Sequence, residues 1–326
     1  MNLLDIQRAN FHFDFFEKRY VPRYYNGIAG IPQEFYQFPY PKNGIRNKRI
    51  AIINCIPPYL SVNEDNLNDA YRYYSKSYRL GFAMDLSKSS SANEYLRNQL
   101  GKKMFKNLRQ DVQRLEHSYN IRFKIYHGEI EKTTYHFLID KLEGYIRGRF
   151  EGRTSKHSAL NRWKDYSDTA FDQIIAKNAS LFVLYEKDDP IAIALNYHYK
   201  NIFYSAISSF DQNFYKFGLG KQMFVKQIEW CYENGYRLID TGWGSIDYKI
   251  KFSNAIFRYQ THVLYPKKDY MKKLMAYIIS WLLLIQYYLV MVKYSKFKNP
   301  ESSYKNRWLK KFEIRNPEER PLRYKT

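Results

Sequence analysis

The chain has 326 residues, 45% of them hydrophobic, and 53 lysines and arginines against 32 acidic residues give a formal net charge of +21. This is enough apolar material for a substantial buried core, as one large domain or two ordinary ones. Two cysteines far apart in sequence, Cys55 and Cys231, exclude a disulfide framework and a CxxC metal site and suit a reducing compartment.

No tandem repeat at a period of roughly 20 to 50 residues is present, which excludes solenoids and propellers. The segment from Met1 to Tyr20 mixes charges through its apolar residues and lacks a signal-peptide core, so secretion is not expected. The positive charge is compatible with nucleic acid, anionic lipid or a polyanionic substrate. Its even spread, with a general richness in Lys, Tyr, Asn and Ile, fits compositional bias at least as well.

In chain order, residues 1–92 form an aromatic, turn-rich N-terminal subdomain with strands expected at Arg49–Ile56 and Tyr78–Leu86. The apolar spacing of Leu96, Leu100, Met104, Leu108, Val112 and Leu115 predicts a long helix from Glu94 to Tyr119, with lysines and arginines on its other face. A strand at Ile121–Tyr126 and helices at Thr133–Phe150 and Leu160–Ala179 follow. Ser180–Glu186, Pro190–Tyr199 and Ile202–Ser208 predict an antiparallel meander, its turns at Lys187-Asp188-Asp189 and Lys200-Asn201. Phe217–Glu233 reads as an amphipathic helix closed by Asn234-Gly235. A strand at Tyr236–Thr241, a short mixed stretch at Ile246–Phe252 and a strand at Phe257–Tyr265 complete the order β-α-α-β-β-β-α-β-α-β. That order predicts an α/β (α+β) fold with a mixed sheet and helices on its faces. The expected division is 1–92, a main α/β domain at 93–266, and an apolar helix with a basic tail at 267–326.

Holding a diphosphate requires backbone amides without obstructing side chains, at a helix N-terminus. Lys216-Phe217-Gly218-Leu219-Gly220-Lys221 has those features, after a strand and opening a helix. An ordinary glycine-containing loop is the competing reading. Leu238–Gly244 begins like a dinucleotide fingerprint, but Asp247 stands at the third glycine position and no long helix follows, so a Rossmann site is rejected.

The element order and the loop from Tyr215 to Gly220 resemble the GNAT acyltransferase core and its Q/R-x-x-G-x-G/A pyrophosphate loop, with Tyr215 at the usual Gln or Arg position. Within that superfamily the chain is similar to the Fem-like branch, especially the CelD-like acetyltransferases found with cellulose and exopolysaccharide genes. Gly101–Arg109 running into Arg114-Leu115-Glu116, then Phe210-Asp211, and Ile239–Gly244 leading to Tyr248-Lys249 carry that similarity. The resemblance covers about residues 95–255. It implies acetyl-CoA or a longer acyl-CoA as co-substrate, and a splay between the strands at Ile202–Ser208 and Tyr236–Thr241 to receive the pantetheine arm. It also implies an amine-bearing glycan, lipid or lipid-linked acceptor; direct transfer fits the absence of a GxSxG elbow and the mid-helix place of Cys231.

Tyr248 and Lys249 resemble the family's YK signature: Lys249 would hold a phosphate or an oxyanion, and Tyr248 would protonate the departing thiolate. A packed tyrosine and a solvated lysine are the alternative. Asp240, at a strand end, and His198, within the meander, are the candidate bases, each equally suited to a structural role. The seven histidines form no pair at metal-ligand spacing, so no metal is expected. Leu274–Val292 is apolar and flanked by Lys267, Lys268, Lys272 and Lys273 before it and by Lys293, Lys296 and Lys298 after it. Its length barely reaches across a bilayer, and a helix lying in the inner leaflet is expected ahead of a span or a core helix. A cytoplasmic protein associated with the inner membrane surface follows from these expectations. Two rival functions are a Fem-like transfer from aminoacyl-tRNA and a catalytically silent scaffold for polysaccharide assembly.

Overall fold

The computed structural model describes residues 6–25, 49–60, 62, 67–151, 158–243, 246–298 and 313–314. In chain order its elements begin with β1 (Ile6–Asn10), α1 (Phe11–Phe16), β2 (Ile50–Ile56), β3 (Tyr71–Asp85), α2 (Ala92–Ser118) and β4 (Ile121–Tyr126). Next come α3 (Lys132–Phe150), α4 (Trp163–Ile175), β5 (Ala179–Glu186), β6 (Asp189–Tyr199) and β7 (Ile202–Phe210). The last are α5 (Leu219–Glu233), β8 (Leu238–Asp240), α6 (Ile246–Phe252), β9 (Ala255–Pro266), α7 (Tyr270–Lys298) and β10 (Glu313–Ile314). The chain divides into two compact units, residues 83–253 and residues 1–82 with 254–326. The sequence-based division instead breaks at 92/93 and at 266/267.

In the unit 83–253 the strand order is β3-β8-β7-β6-β5-β4, with β3 entering through Ala83–Asp85. All pairs are antiparallel except β7 with β8, which is parallel. Strands β5 and β6 are mostly apolar and almost wholly buried, as expected of strands covered on both faces. Their hairpins turn at Lys187 and Lys200, which adopt φ of 51° and 50°, the left-handed geometry that tight two-residue connections demand.

Helices α2 and α5 cover one face. Leu96, Phe105 and Leu115 of α2 meet Leu219, Met223 and Ile228 of α5 over Phe182, Ala194, Phe203 and Ile239. Burying each such large side chain contributes on the order of 1.5–3 kcal/mol. Helices α3 and α4 lie against β5, β6 and β7. Helix α2 starts with a capping box: Ser91 accepts from the Glu94 amide, and Glu94 accepts from the Ser90 amide at 2.7 Å. It is kinked at Gly101, whose φ of 73° interrupts the helical backbone. Helix α5 ends as expected at Asn234-Gly235. Tyr236 N–H reaches the Cys231 carbonyl at 2.9 Å and Gly235 has φ of 70°, a Schellman termination.

In the other unit β1 runs parallel to β2, β2 antiparallel to β9, and β9 lies beside β3. Strand β3 starts seven residues before the predicted Tyr78. Its Tyr74 and Tyr78 rings pack on Tyr277 and Tyr287 of α7, a support that periodicity within β3 cannot reveal.

Candidate functional site

Strands β7 and β8 share three register pairs, Ile202–Leu238, Phe203–Ile239 and Tyr204–Asp240. Beyond Tyr204, β7 runs on to Phe210 while β8 stops at Asp240. The strands therefore fork, and among the described residues the β8-facing backbone of residues 205–210 has no strand partner. From Tyr204 to Phe210 the open edge extends about 20 Å at the usual rise per residue.

At the mouth of this fork the chain makes a 3₁₀ turn, Gln212–Phe217, capped by Asp211, whose side chain accepts from the Asn213 amide at 2.9 Å. Gly218 follows with φ of 63° and ψ of 38° and opens α5. No side chain caps the helix; the Lys221 amide turns to the Gly218 carbonyl at 2.8 Å, and the Leu219 and Gly220 amides stand at the open helix start. A Cβ at Gly220 would touch only the Phe210 ring, at 3.5 Å. Beside this turn lies a cavity of 490 Å³ lined by the α2 kink and by Lys102, Lys103, Asn107, Asp111, Lys221 and Lys251. The helix-end dipole and four ammonium groups, against the single Asp111 carboxylate that pairs with Arg114, favour an anion there.

Tyr204 and Asp240 lie opposite this helix. Their neighbours in register, Phe203 and Ile239, point into the core beneath α5, so strand alternation sends Tyr204 and Asp240 to the other face. The Asp240 carboxylate is fully buried and accepts from the Gly242 amide at 2.6 Å. The Tyr204 hydroxyl approaches within 3.9 Å of where a Cβ on Gly242 would stand, and its ring stacks on Tyr197. Lys249, from α6, is buried and donates to the carbonyls of Thr241 and Trp243, the latter at 2.9 Å. Burial pulls its pKa down to about 8, partly offset by the Asp240 carboxylate. The arrangement is a tight turn fastened from beneath by a lysine, with a carboxylate and a phenol at the fork's apex.

Residues 102–250 match the acetyltransferase (GNAT) domain family. No curated protein matches the chain. Among solved structures it is similar to a conserved protein of unknown function from Bacteroides thetaiotaomicron, at 11% identity and a TM-score of 0.46 over 68% of this chain and 71% of that one. It is also similar to L-PGS from Bacillus licheniformis, at 14% identity and 0.41 over 71% and 72%. FemX shows 11% identity and 0.43 over 70% and 74%.

The predicted site residues fall into three places. Lys216, Phe217, Gly218, Leu219, Gly220 and Lys221 gather at the start of α5, where Leu219 is a core residue and Phe217 packs its ring edge-on to Tyr119. Asp240 and Lys249 meet at the turn; Lys249 braces that turn from within rather than pointing into solvent. The Tyr248 side chain lies outside the described residues. His198 is elsewhere: its ring packs on Trp230 and Phe203 on the α5 face, and its Nε2 meets Ser180 Oγ at 2.9 Å. The sheet thus separates His198 from Asp240.

Sequence reasoning missed Tyr204 and a buried polar chain on the α5 side. Ser205 donates to Gln227 Oε1 at 3.1 Å, and Gln227 Nε2 donates to Asn196 Oδ1 at 2.9 Å. Asn196 and Gln227 are buried, and the chain reaches the first β7 residue past the fork. Asn196 within the apolar run of β6 was the one visible signal.

Proposed function

We propose that the protein transfers an acyl group, in the simplest case acetyl, directly from a coenzyme A thioester to an amine. The acceptor in this reading is a glycan, a lipid or a lipid-linked envelope precursor, such as an exopolysaccharide intermediate. The observation that supports it best is the fork, whose unpaired β7 edge can hydrogen-bond a pantetheine arm as an added strand would. The start of α5 and the ammonium groups of Lys102, Lys103, Lys221 and Lys251 suit the phosphates at its mouth.

In the proposed reaction the amine nitrogen attacks the thioester carbonyl, a C–N bond forms and the C–S bond breaks. Asp240 collects the amine proton, directly or through water, and Tyr204 or Tyr248 returns a proton to the departing thiolate. Lys249 keeps the 241–243 turn and the Asp240 carboxylate in place. The CelD-like resemblance of residues 101–109 and 239–249 supports the envelope acceptor. The two buried cysteines and a coenzyme A donor support a cytoplasmic location, at the inner membrane surface.

Titration with acetyl-CoA, a long-chain acyl-CoA and tRNA tests this, with Gly220→Glu as control. That variant seats a carboxylate in the first turn of α5, which the helix dipole tolerates and a diphosphate does not. Saturable acyl-CoA binding that the variant loses, with thiol release on adding amine acceptors, is the expected result. Binding of tRNA alone would shift the reading to aminoacyl transfer, and binding of neither would leave a scaffold.

A further inference from the structure

We infer that α7 is a membrane anchor that lies flat in the surface of an anionic bilayer, docked on its own domain and crossing nothing. This inference is independent of the acyl-transfer reading, since every residue it uses lies outside residues 83–253.

A helix on a soluble domain buries one apolar stripe and shows polar residues elsewhere. Helix α7 does bury a stripe: Ala276 and Ser280 are fully buried and Met275, Ile279 and Leu283 pack beside them on Ile50, Ile52, Val263 and Tyr265. Its opposite face is also apolar. Leu274, Ile278, Trp281, Leu282, Ile285 and Leu289 are all exposed, Leu282 at 58% and Leu289 at 65%. This second face needs a second apolar medium.

Two features identify that medium as lipid. Lysines stand before the face, at 267, 268, 272 and 273, and after it, at 293, 296 and 298. Pairing with a second copy of α7, parallel or antiparallel, brings lysines against lysines at both ends; anionic headgroups meet both clusters. Aromatic groups also border the face as at a membrane interface: Lys76 Nζ sits 3.6 Å from the centroid of the Trp281 ring, and Tyr270 and Tyr288 are exposed.

Tyr270–Val290, at 21 residues, is long and apolar enough to cross a bilayer, so connectivity decides against a span. The chain returns after α7 to the sheet it left, because β10 pairs with β9 through Glu313–Ile256 and Ile314–Phe257. A spanning α7 would leave β10 on the far side of the bilayer from β9.

The test uses the full chain with phosphatidylcholine vesicles, with and without phosphatidylglycerol, followed by co-sedimentation and by quenching with brominated lipid. Expected are binding that grows with phosphatidylglycerol content, quenching that Trp281→Phe reduces, and about tenfold weaker binding of Leu282→Glu/Leu289→Glu. Both replaced leucines face outward, so the variant keeps its circular dichroism and its acyl-CoA binding. In sealed inside-out membrane vesicles, cysteines placed by Lys268→Cys and Lys298→Cys should both react with an impermeant maleimide. Protection of one of them would overturn the in-plane placement. Absence of vesicle binding, or concentration-dependent dimerisation abolished by the double variant, would overturn the lipid partner.

Discussion

The Lys249 ammonium is enclosed beneath the turn it braces, and burial outweighs the Asp240 charge in setting its pKa at about 8, against an ordinary 10.5. The unfolded chain therefore holds that proton more tightly than the folded one. Burial of the charged lysine costs stability in full below pH 8, and the cost fades as pH rises toward 10.5. Compared with Lys249→Met, wild type should gain about 1.4 kcal/mol of relative stability per pH unit between pH 8 and 10. Denaturant midpoints of the two proteins across that range measure it, and parallel curves would show that the lysine does not titrate there. Asp240 should separate chemistry from stability: Asp240→Asn keeps an acceptor for the Gly242 amide but cannot take a proton. We expect kcat to fall roughly 10²- to 10⁴-fold, well beyond the loss of melting temperature that follows from removing the carboxylate beside the buried Lys249 ammonium. Comparable loss of both would make Asp240 a turn cap and nothing more.

Among the elements, the fork between β7 and β8 depends on what holds β7 straight beyond its last pair. The Ser205–Gln227–Asn196 chain ties the first free residue of β7 to α5 and β6. Gln227→Leu removes the donor to the buried Asn196 oxygen and should cost about 1–3 kcal/mol, read from urea unfolding. A weaker hold on acyl-CoA should accompany it, and a loss of stability with unchanged acyl-CoA binding would detach this chain from the site. The meander was legible because Lys187-Asp188 and Lys200-Asn201 interrupt apolar runs at strand length. The fork was legible only through the resemblance, since the Tyr204–Asp240 register joins strands separated by all of α5. Strand β8 is shorter than the predicted Tyr236–Thr241 for local reasons. The Tyr236 amide closes α5, Arg237 N–H turns to the Asn201 carbonyl, and the Thr241 carbonyl is taken by Lys249. Residues 246–252, short and mixed in sequence and placed as the last helix of the predicted order, form the helix that delivers Lys249.

For the whole molecule, a net charge of +21 makes acid a threat from two directions that salt can separate. Below neutrality the histidines and then the carboxylates add positive charge, and self-repulsion opposes the compact state. Ionic screening relieves that repulsion. The second effect is local to β9. The His262 ring is stacked on Tyr73 at 3.9 Å, its Nδ1 is 2.9 Å from the Tyr25 hydroxyl, and burial drives its pKa down to about 3. The unfolded chain takes up this proton near pH 6.5 and the folded one does not. The stabilisation is complete above pH 6.5 and is lost progressively as pH falls toward 3, by about 1.4 kcal/mol per unit. Salt should leave this loss in place, because a buried imidazole is desolvated at any ionic strength. Thermal unfolding from pH 6.5 to 5 should thus show a steep fall that persists in high salt. His262→Leu should start less stable, its Tyr25 hydroxyl having lost a partner, and should then decline less steeply. Equal slopes in variant and wild type would assign acid sensitivity to net charge alone, and salt would then abolish it.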